Sequence, residues 1–310
     1  MKPVDFSYHR AVSVADALER LAAGGDGTKL IGGGQTLGPM LNLRLARPRE
    51  LIDISSVGAL RRVESTRESV IAGAAVTHAD IEDRPAADPI ERAMREVAAG
   101  IAYRAVRNRG TLGGSVAHAD PSADWVSFLL CANARVHIRS VTGERDVRMQ
   151  DFTRAAYTTT LARDEIVTRI EIPHTTARAR FGFYKLCRKT GEFAEAMGAV
   201  LVDPGRCYCR VVAGAVGAKP VVLAATARSL AATATPPELE ALRAEIAAGT
   251  DEHDPVKLHM AAVAVRRAAD RALAVTGGHR TDAHARYDRD RRPGDRPDAG
   301  RRGSARMTRG

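Results

Sequence analysis

Apolar residues recur at helical spacing in some segments of the chain and in short unbroken runs in others, so both helices and strands are expected. Behind Ser13, apolar residues at intervals of three and four predict a surface helix over 14–23, which Gly24 and Gly25 end. By the same rules, further helices are predicted over 37–45, 88–105, 125–132, 223–232, 237–247 and 256–274. Strands are predicted over 29–31, 51–54, 70–74, 134–139, 165–172, 182–185, 196–202 and 207–216. Strands and helices alternate at the start and strands precede helices at the end, which favours an α/β or α+β fold.

The chain has 310 residues, more than one typical domain, so two domains are expected, joined by the polar stretch 174–180. With 45% hydrophobic and 27% charged residues, its composition is globular and excludes fibrous or wholly disordered proteins. The longest apolar runs, such as 221–225, are far shorter than the roughly 18 residues that span a bilayer. The N-terminus lacks the apolar centre of a signal peptide, so a cytoplasmic protein with no membrane span is predicted.

The net charge of +10 suggests a nucleic-acid-binding protein as one alternative, but half of this charge lies in residues 279–310. That segment holds ten Arg and five Asp with almost no large apolar residue, so it is predicted to be disordered. An altered reading frame at the end of a GC-rich gene would give the same composition. The folded part is therefore expected to end near Ala274, and nucleic acid is not the expected partner.

The four cysteines form no C-x-x-C pair, which excludes the common zinc and iron–sulfur motifs. Cys207 and Cys209 are expected to share one face of a strand. Free and mostly buried thiols are predicted, as is typical of a reducing compartment.

Two glycine clusters about 80 residues apart are the strongest local signal. The first, GGGQT at 32–36, follows a predicted strand, and the second, GTLGGS at 110–115, follows a predicted helix. Such turns are either purely structural or allow backbone N–H groups to approach a pyrophosphate. Neither has the spacing of a Rossmann or P-loop fingerprint, so those nucleotide folds are disfavoured.

Other chemistry has weaker support. The units His78-x-Asp80 and His118-x-Asp120 offer ligands to a metal ion, but helix capping and loop hydrogen bonds explain them more simply, so no metal site is predicted. No G-x-S-x-G elbow indicates a serine hydrolase. Lys185 ends a predicted strand in a basic cluster, where it either faces solvent or contacts an anion.

Two longer motifs resemble one known family. They are Ile31-Gly32-Gly33-Gly34-Gln35-Thr36-Leu37 with Pro39, and the string VRNRGTLGGSVAHADPSAD over 106–124. Both closely resemble the FAD-binding medium subunits of the molybdenum hydroxylases, the group of xanthine, carbon monoxide, nicotine and caffeine dehydrogenases. The likeness extends over about residues 1–275, including YKLCRKTGEFA at 184–194, and departs mildly from the family pattern at Gly32, Thr36 and Gly38.

The resemblance implies an α+β architecture with a PCMH-type, vanillyl-alcohol-oxidase-like FAD-binding fold. The implied FAD domain covers 1–175, with subdomains of about 1–55 and 56–175. A C-terminal α+β domain of the carbon monoxide dehydrogenase flavoprotein type would cover 176–275. The disordered Arg/Asp/Gly-rich tail would then cover 276–310.

The resemblance also implies the FAD contacts, which gather at both glycine turns and at isolated positions elsewhere. They are Lys29, Leu30, Ile31, Gly32, Gly33, Gly34, Gln35, Thr36, Ile101, Thr111, Leu112, Gly113, Gly114, Ser115, Asp124, Val167 and Lys185. Ile101 would lie near the flavin ring. Replacing Gly33 or Gly114 by Asp is expected to remove the flavin with little loss of fold, because the carboxylate would repel the diphosphate.

The implied function is that of an oxidoreductase subunit that relays electrons. Its partners would be a small subunit with [2Fe-2S] clusters and a large subunit with molybdopterin, assembled as a dimer of heterotrimers. Electrons would leave through FAD to an external acceptor, and no residue of this chain would be catalytic. The alternative is a self-sufficient flavin oxidoreductase of the same fold.

Overall fold

The N-terminal part of the chain is a small parallel sheet in the computed structural model, which describes residues 2–274. Its elements are β1 (Ser7–Arg10), α1 (Val14–Gly24), β2 (Thr28–Ile31), α2 (Leu37–Asn42) and β3 (Glu50–Asp53). The strand order is β1-β3-β2. The predicted helix at 14–23 is confirmed, and the Ser13 hydroxyl caps it by accepting from the Asp16 N–H at 3.0 Å. The predicted disordered tail lies outside the described residues.

A five-stranded antiparallel sheet and a group of helices follow. The elements are β4 (Val63–Ser65), β5 (Ser69–Gly73), α3 (His78–Asp83), α4 (Pro89–Ala99), α5 (Arg104–Arg107), α6 (Leu112–His118), α7 (Asp124–Cys131), β6 (Arg135–Arg139), β7 (Glu144–Arg148), α8 (Met149–Phe152), β8 (Thr153–Ala155), β9 (Thr158–Thr159) and β10 (Ile166–Pro173). The sheet order is β4-β5-β10-β6-β7, and β8 pairs with β9. In β10, Ile170 and Ile172 are buried while Arg169 is exposed, because alternate side chains of a strand point to opposite faces.

The C-terminal part is a four-stranded antiparallel sheet followed by helices, in the predicted α+β order. Its elements are β11 (Arg180–Leu186), β12 (Ala196–Asp203), β13 (Tyr208–Gly214), β14 (Val221–Val222), α9 (Ala224–Thr233), α10 (Leu239–Gly249) and α11 (Pro255–Ala274). Every residue of β12 is buried, because α11 packs on one face and α7 on the other. Glycines allow α11 to lie close to the sheet, since a Cβ atom on Gly182 would be 1.9 Å from the Ala268 carbonyl oxygen.

The largest hydrophobic core contains residues from both sides of position 175. Trp125 and Phe128 of α7 belong to the same cluster as Phe183, Met197 and Leu201 of the C-terminal sheet. The C-terminal sheet is thus packed directly onto the helices that precede it. The predicted domain boundaries at 55 and 175 stay predictions.

Two predicted helices are shorter in the structure because a residue with positive φ interrupts each of them. The helix predicted over 88–105 ends at Ala99 and resumes as α5, since Ala102 has a φ of +42°. The helix predicted over 37–45 ends at Asn42, and Arg44 has a φ of +60°.

The cysteines are free as predicted, but the prediction that most are buried is wrong. Cys131 is buried, Cys187 and Cys209 are half-buried, and Cys207 is exposed. Cys207 has a φ of +50° and precedes β13, so it does not share a strand face with Cys209. Within residues 2–274, no helix has both the length and the apolarity needed to cross a bilayer.

Candidate functional site

The first glycine turn connects β2 to α2 and has four consecutive backbone N–H groups without an acceptor in the described residues, here called open N–H groups. Among the hydrogen bonds of residues 2–274, none uses the N–H of Gly33, Gly34, Gln35 or Thr36. Gly34 has a φ of +71°, so the backbone adopts a left-handed conformation inside the turn. Successive N–H groups in such a turn form a concave site for an anion.

The two glycine turns, distant in sequence, are in direct contact. A Cβ atom on Gly33 would lie 1.8 Å from the carbonyl oxygen of Arg109, and one on Gly32 would lie 3.1 Å from the Thr111 hydroxyl. The Arg109 Nε–H donates to the Gly33 carbonyl oxygen at 3.3 Å, and the Gln35 side-chain amide donates to the same oxygen at 3.2 Å. Any side chain at position 33 would therefore force the turns apart, which corrects the expectation that Gly33→Asp leaves the fold nearly intact.

The second glycine turn uses its N–H groups within the protein. Those of residues 112–114 donate to the Val76 and Ala74 carbonyl oxygens, in the loop that follows β5, and to the Thr111 hydroxyl, at 2.9 to 3.1 Å. The interpretation that both turns offer open N–H groups is thus wrong for the second one. The second turn instead allows a ligand to approach its backbone closely at Gly114. This glycine is exposed, and a Cβ atom there would contact only the Thr111 hydroxyl, at 2.8 Å.

Arg109 is a candidate site residue that the motif comparison missed. Its side chain is exposed, and its Nε–H is bound to the Gly33 carbonyl oxygen, so a positive charge lies at the first glycine turn. Lys29 on β2 is also exposed. The signal that could have identified Arg109 is its position directly before the second glycine turn.

A second cluster joins α7, β11 and the end of α4 through a buried ion pair. The Lys185 ammonium lies 3.0 and 3.1 Å from the two carboxylate oxygens of Asp124 and 3.4 Å from the Gly100 carbonyl oxygen. Burial raises the pKa of Asp124, and the charge of Lys185 counteracts this rise. Of the two predictions for Lys185, solvent exposure is wrong, since its side chain is 12% exposed and its contact is the Asp124 anion.

Ile101 lies in the turn that links α4 to α5, next to this ion pair. It is half-buried against the main core, while the neighbouring Tyr103 is exposed. Gly191 packs on this turn, since a Cβ atom there would be 3.2 Å from the Tyr103 ring. The exposed Tyr103 ring therefore presents aromatic surface at the turn.

Four of the other predicted site residues are apolar and pack against hydrophobic cores. Leu30 and Ile31 pack against the cores beside the N-terminal sheet, and Leu112 and Val167 belong to the main core. The side chains of these four residues therefore face the protein interior. Ser115 is half-buried in the middle of α6.

Three side chains of the two His-x-Asp units form hydrogen bonds within the protein. Asp80 forms a capping box with Thr77, and the His78 Nδ1 accepts from the Trp125 indole N–H at 3.0 Å. Burial, with a smaller effect of the Arg107 charge, lowers the pKa of His78 to about 4. The Asp120 carboxylate accepts from the Ser122 hydroxyl at 2.6 Å. Over residues 2–274, no three His, Cys, Asp or Glu side chains are grouped as metal ligands.

Residues 4–175 match the family described as the FAD binding domain in molybdopterin dehydrogenase. The chain belongs to this family. It is 37% identical over 203 residues to the nicotine 6-hydroxylase medium subunit of Paenarthrobacter nicotinovorans, covering 66% of this chain and 71% of that protein. It is 34% identical over 202 residues to the carbon monoxide dehydrogenase medium chain of Hydrogenophaga pseudoflava, covering 65% and 71%.

Solved structures of this family share the fold. Reconstituted CO dehydrogenase from Oligotropha carboxidovorans matches with a TM-score of 0.82 at 30% identity, over 88% of this chain and 99% of that chain. The FAD-binding family and its mixed helix and strand fold are therefore confirmed, and the chain is an oxidoreductase subunit with an FAD-binding domain. The glycine turns fit the cofactor, because the first turn has open N–H groups and both turns allow a close approach that a side chain would block.

Proposed function

We propose that this chain is the FAD-carrying medium subunit of a heteromeric molybdenum hydroxylase. The observation that carries the proposal is the run of four open N–H groups at Gly33–Thr36, set against the second glycine turn and beside Arg109. A dinucleotide diphosphate is the ligand that this arrangement fits, since backbone N–H groups and a guanidinium group both bind phosphate oxygens.

The flavin end of the cofactor would lie toward Ile101. The turn at 100–103 and the exposed Tyr103 offer apolar surface to a planar ring, and the Lys185–Asp124 pair fixes the adjacent main chain. Leu30 and Val167 would act through backbone groups, because their side chains face hydrophobic cores. Leu112 would instead support the second glycine turn, since its side chain lies in the main core and its N–H donates to the Val76 carbonyl oxygen. Bound FAD would supply the redox chemistry, and the protein would supply position and electrostatics.

The proposal includes the finer features of the family. The chain would adopt the PCMH-type, vanillyl-alcohol-oxidase-like fold, with an FAD domain over 1–175 and a C-terminal domain over 176–275. The names "medium subunit" and "medium chain" of its relatives support partner subunits. We propose a small [2Fe-2S] subunit and a large molybdopterin subunit in a cytoplasmic dimer of heterotrimers, from which this chain passes electrons to an external acceptor.

The test has two steps. The purified chain is incubated with FAD and desalted, and the retained flavin is measured by absorbance after acid release. We expect one FAD per chain, held non-covalently. A chain that stays colourless under all conditions contradicts the proposal.

The second step tests the complex. The chain is co-expressed with the proteins encoded beside it, and the purified assembly is analysed for iron and molybdenum. Co-purification of subunits carrying both supports the medium-subunit function. Full activity of the isolated chain on an organic substrate would instead identify a self-sufficient flavin oxidoreductase.

A further inference from the structure

Arg107 links α3, α5 and the turn that ends α4. Its Nε–H and Nη2–H donate to the two carboxylate oxygens of Glu82 at 2.8 and 3.0 Å. Its Nη1–H donates to the carbonyl oxygens of Ile101 and Ala102 at 3.0 and 2.9 Å. The side chain is 12% exposed, so this is a nearly buried guanidinium group with four hydrogen bonds.

The turn that Arg107 holds has an unfavourable backbone conformation. Ala102 has a φ of +42°, which a residue with a side chain rarely adopts and which needs support from its surroundings. Arg107 binds the carbonyl oxygens on both sides of this strain. Lys185 binds the preceding carbonyl, that of Gly100, at 3.4 Å, so the turn is fixed from two directions.

Arg104 provides a natural comparison, because it lies one helical turn before Arg107 and shares the same acidic partner. Its Nη1–H donates to Glu82 at 2.9 Å, and its Nε–H donates to the Asn108 side chain at 2.9 Å. Within residues 2–274 it makes no hydrogen bond to the turn at 101–102. Variants of the two arginines can therefore distinguish the effect of a positive charge near α3 from the effect of the hydrogen bonds to the turn at 101–102.

We infer that Arg107, anchored by Glu82, is a positioning residue for the flavin end of the cofactor site. This inference rests on the proposed function. Arg107 fixes the turn that carries Ile101, whereas Arg109, two residues further on, faces the diphosphate end. The two ends of one cofactor are thus supported by separate arginines of the same segment.

The experiment compares the binding of FAD with that of ADP, which has the diphosphate but no flavin. Arg107→Gln is expected to weaken FAD binding about tenfold, since hydrogen bonds to two strained carbonyls are lost, and to leave ADP binding unchanged. The visible absorbance and circular dichroism of the bound flavin should also change. Arg107→Lys keeps the positive charge but lacks the forked guanidinium group, so we expect its FAD affinity to lie between those of Arg107→Gln and the wild type.

Three further variants complete the design. Arg104→Gln should bind both ligands like the wild type. Arg109→Gln should weaken FAD and ADP by the same factor, because it acts at the diphosphate. If Arg107→Gln does not fold, Arg107→Lys and Glu82→Gln carry the same comparison, and both should lose FAD affinity selectively.

The outcomes separate the two proposals. If the wild type binds no FAD, the proposed function fails. If the wild type binds FAD but the variants at 107 and 82 match Arg104→Gln, the positioning inference is wrong. An equal loss of FAD and ADP in those variants would also overturn it, since it would indicate a general structural role.

Discussion

Gly33 and Gly114, one in each glycine turn, have different surroundings. Gly33 is buried, and the space for its side chain is taken by the Arg109 backbone, whereas Gly114 is exposed and has only the Thr111 hydroxyl near it. The same substitution therefore tests stability at one position and ligand binding at the other.

Gly114→Asp should abolish FAD binding in a folded protein. A carboxylate at this position lies where the diphosphate approaches, and repulsion between the charges should weaken binding about a hundredfold or more. The unfolding free energy should fall by only about 1 kcal/mol, because the Thr111 cap must shift. Equilibrium FAD titration and urea unfolding measure the two effects. Gly114→Ala is the control, since it adds the Cβ without the charge and should keep most of the affinity.

Gly33→Ala should instead destabilise the protein. A single methyl group would meet the Arg109 carbonyl oxygen at 1.8 Å, and the overpacking should cost about 2–3 kcal/mol. Thermal unfolding measures the loss. Gly38→Ala in α2 is the matched control, since no atom lies within 4 Å of its Cβ position, and it should be neutral or slightly stabilising. Equal melting temperatures for the two variants would argue against the contact between the turns.

At the scale of elements, apolar periodicity located the long helices and the buried strands, because burial imposes that pattern. It missed β7 (Glu144–Arg148), which is an edge strand with no buried residue and so no alternation. It also merged α4 with α5, because an alanine gives no local signal for the positive φ at Ala102 that separates these helices. The glycine turns were predicted from local composition. The contacts of Arg107 with Glu82 and of Lys185 with Asp124 could not be, since 25 and 61 residues separate the partners.

The start of α3 should make the protein sensitive to acid. The buried His78 ring accepts from Trp125, and the His78 backbone N–H donates to the Gly110 carbonyl oxygen at 2.9 Å beside the second glycine turn. Because burial lowers the pKa of His78 to about 4 in the folded state from its ordinary 6.5, the unfolded state binds more protons between these pH values. The stabilisation is therefore complete above about pH 6.5 and is lost as the pH falls toward 4.

Urea unfolding at pH 7 and pH 5 tests this sign. The wild type should lose about 2 kcal/mol between these pH values through His78, and FAD affinity should fall in the same range. His78→Gln, which cannot be protonated, should lack this component. An identical pH dependence in both proteins would show that His78 is not the group that titrates.

At the scale of the whole molecule, the Lys185–Asp124 pair connects β11 of the C-terminal sheet with α7. Lys185→Met should lower the unfolding free energy by about 3 kcal/mol, because it leaves a buried carboxylate without its partner. Adding Asp124→Leu should restore much of this stability while FAD affinity stays low, since both positions belong to the proposed site. Chemical unfolding with a parallel FAD titration separates the two effects. A double variant no more stable than Lys185→Met would contradict the ion-pair argument.

Trp125 is the only tryptophan of the chain, and its position gives the protein a built-in optical reporter. It is fully buried, donates to His78, and through that ring reaches the glycine turn at Gly110. Indole emission overlaps flavin absorption, so a flavin held at these turns should quench Trp125 by energy transfer. Cofactor uptake, its release by acid and the effect of each substitution can then be followed through the emission of this one tryptophan.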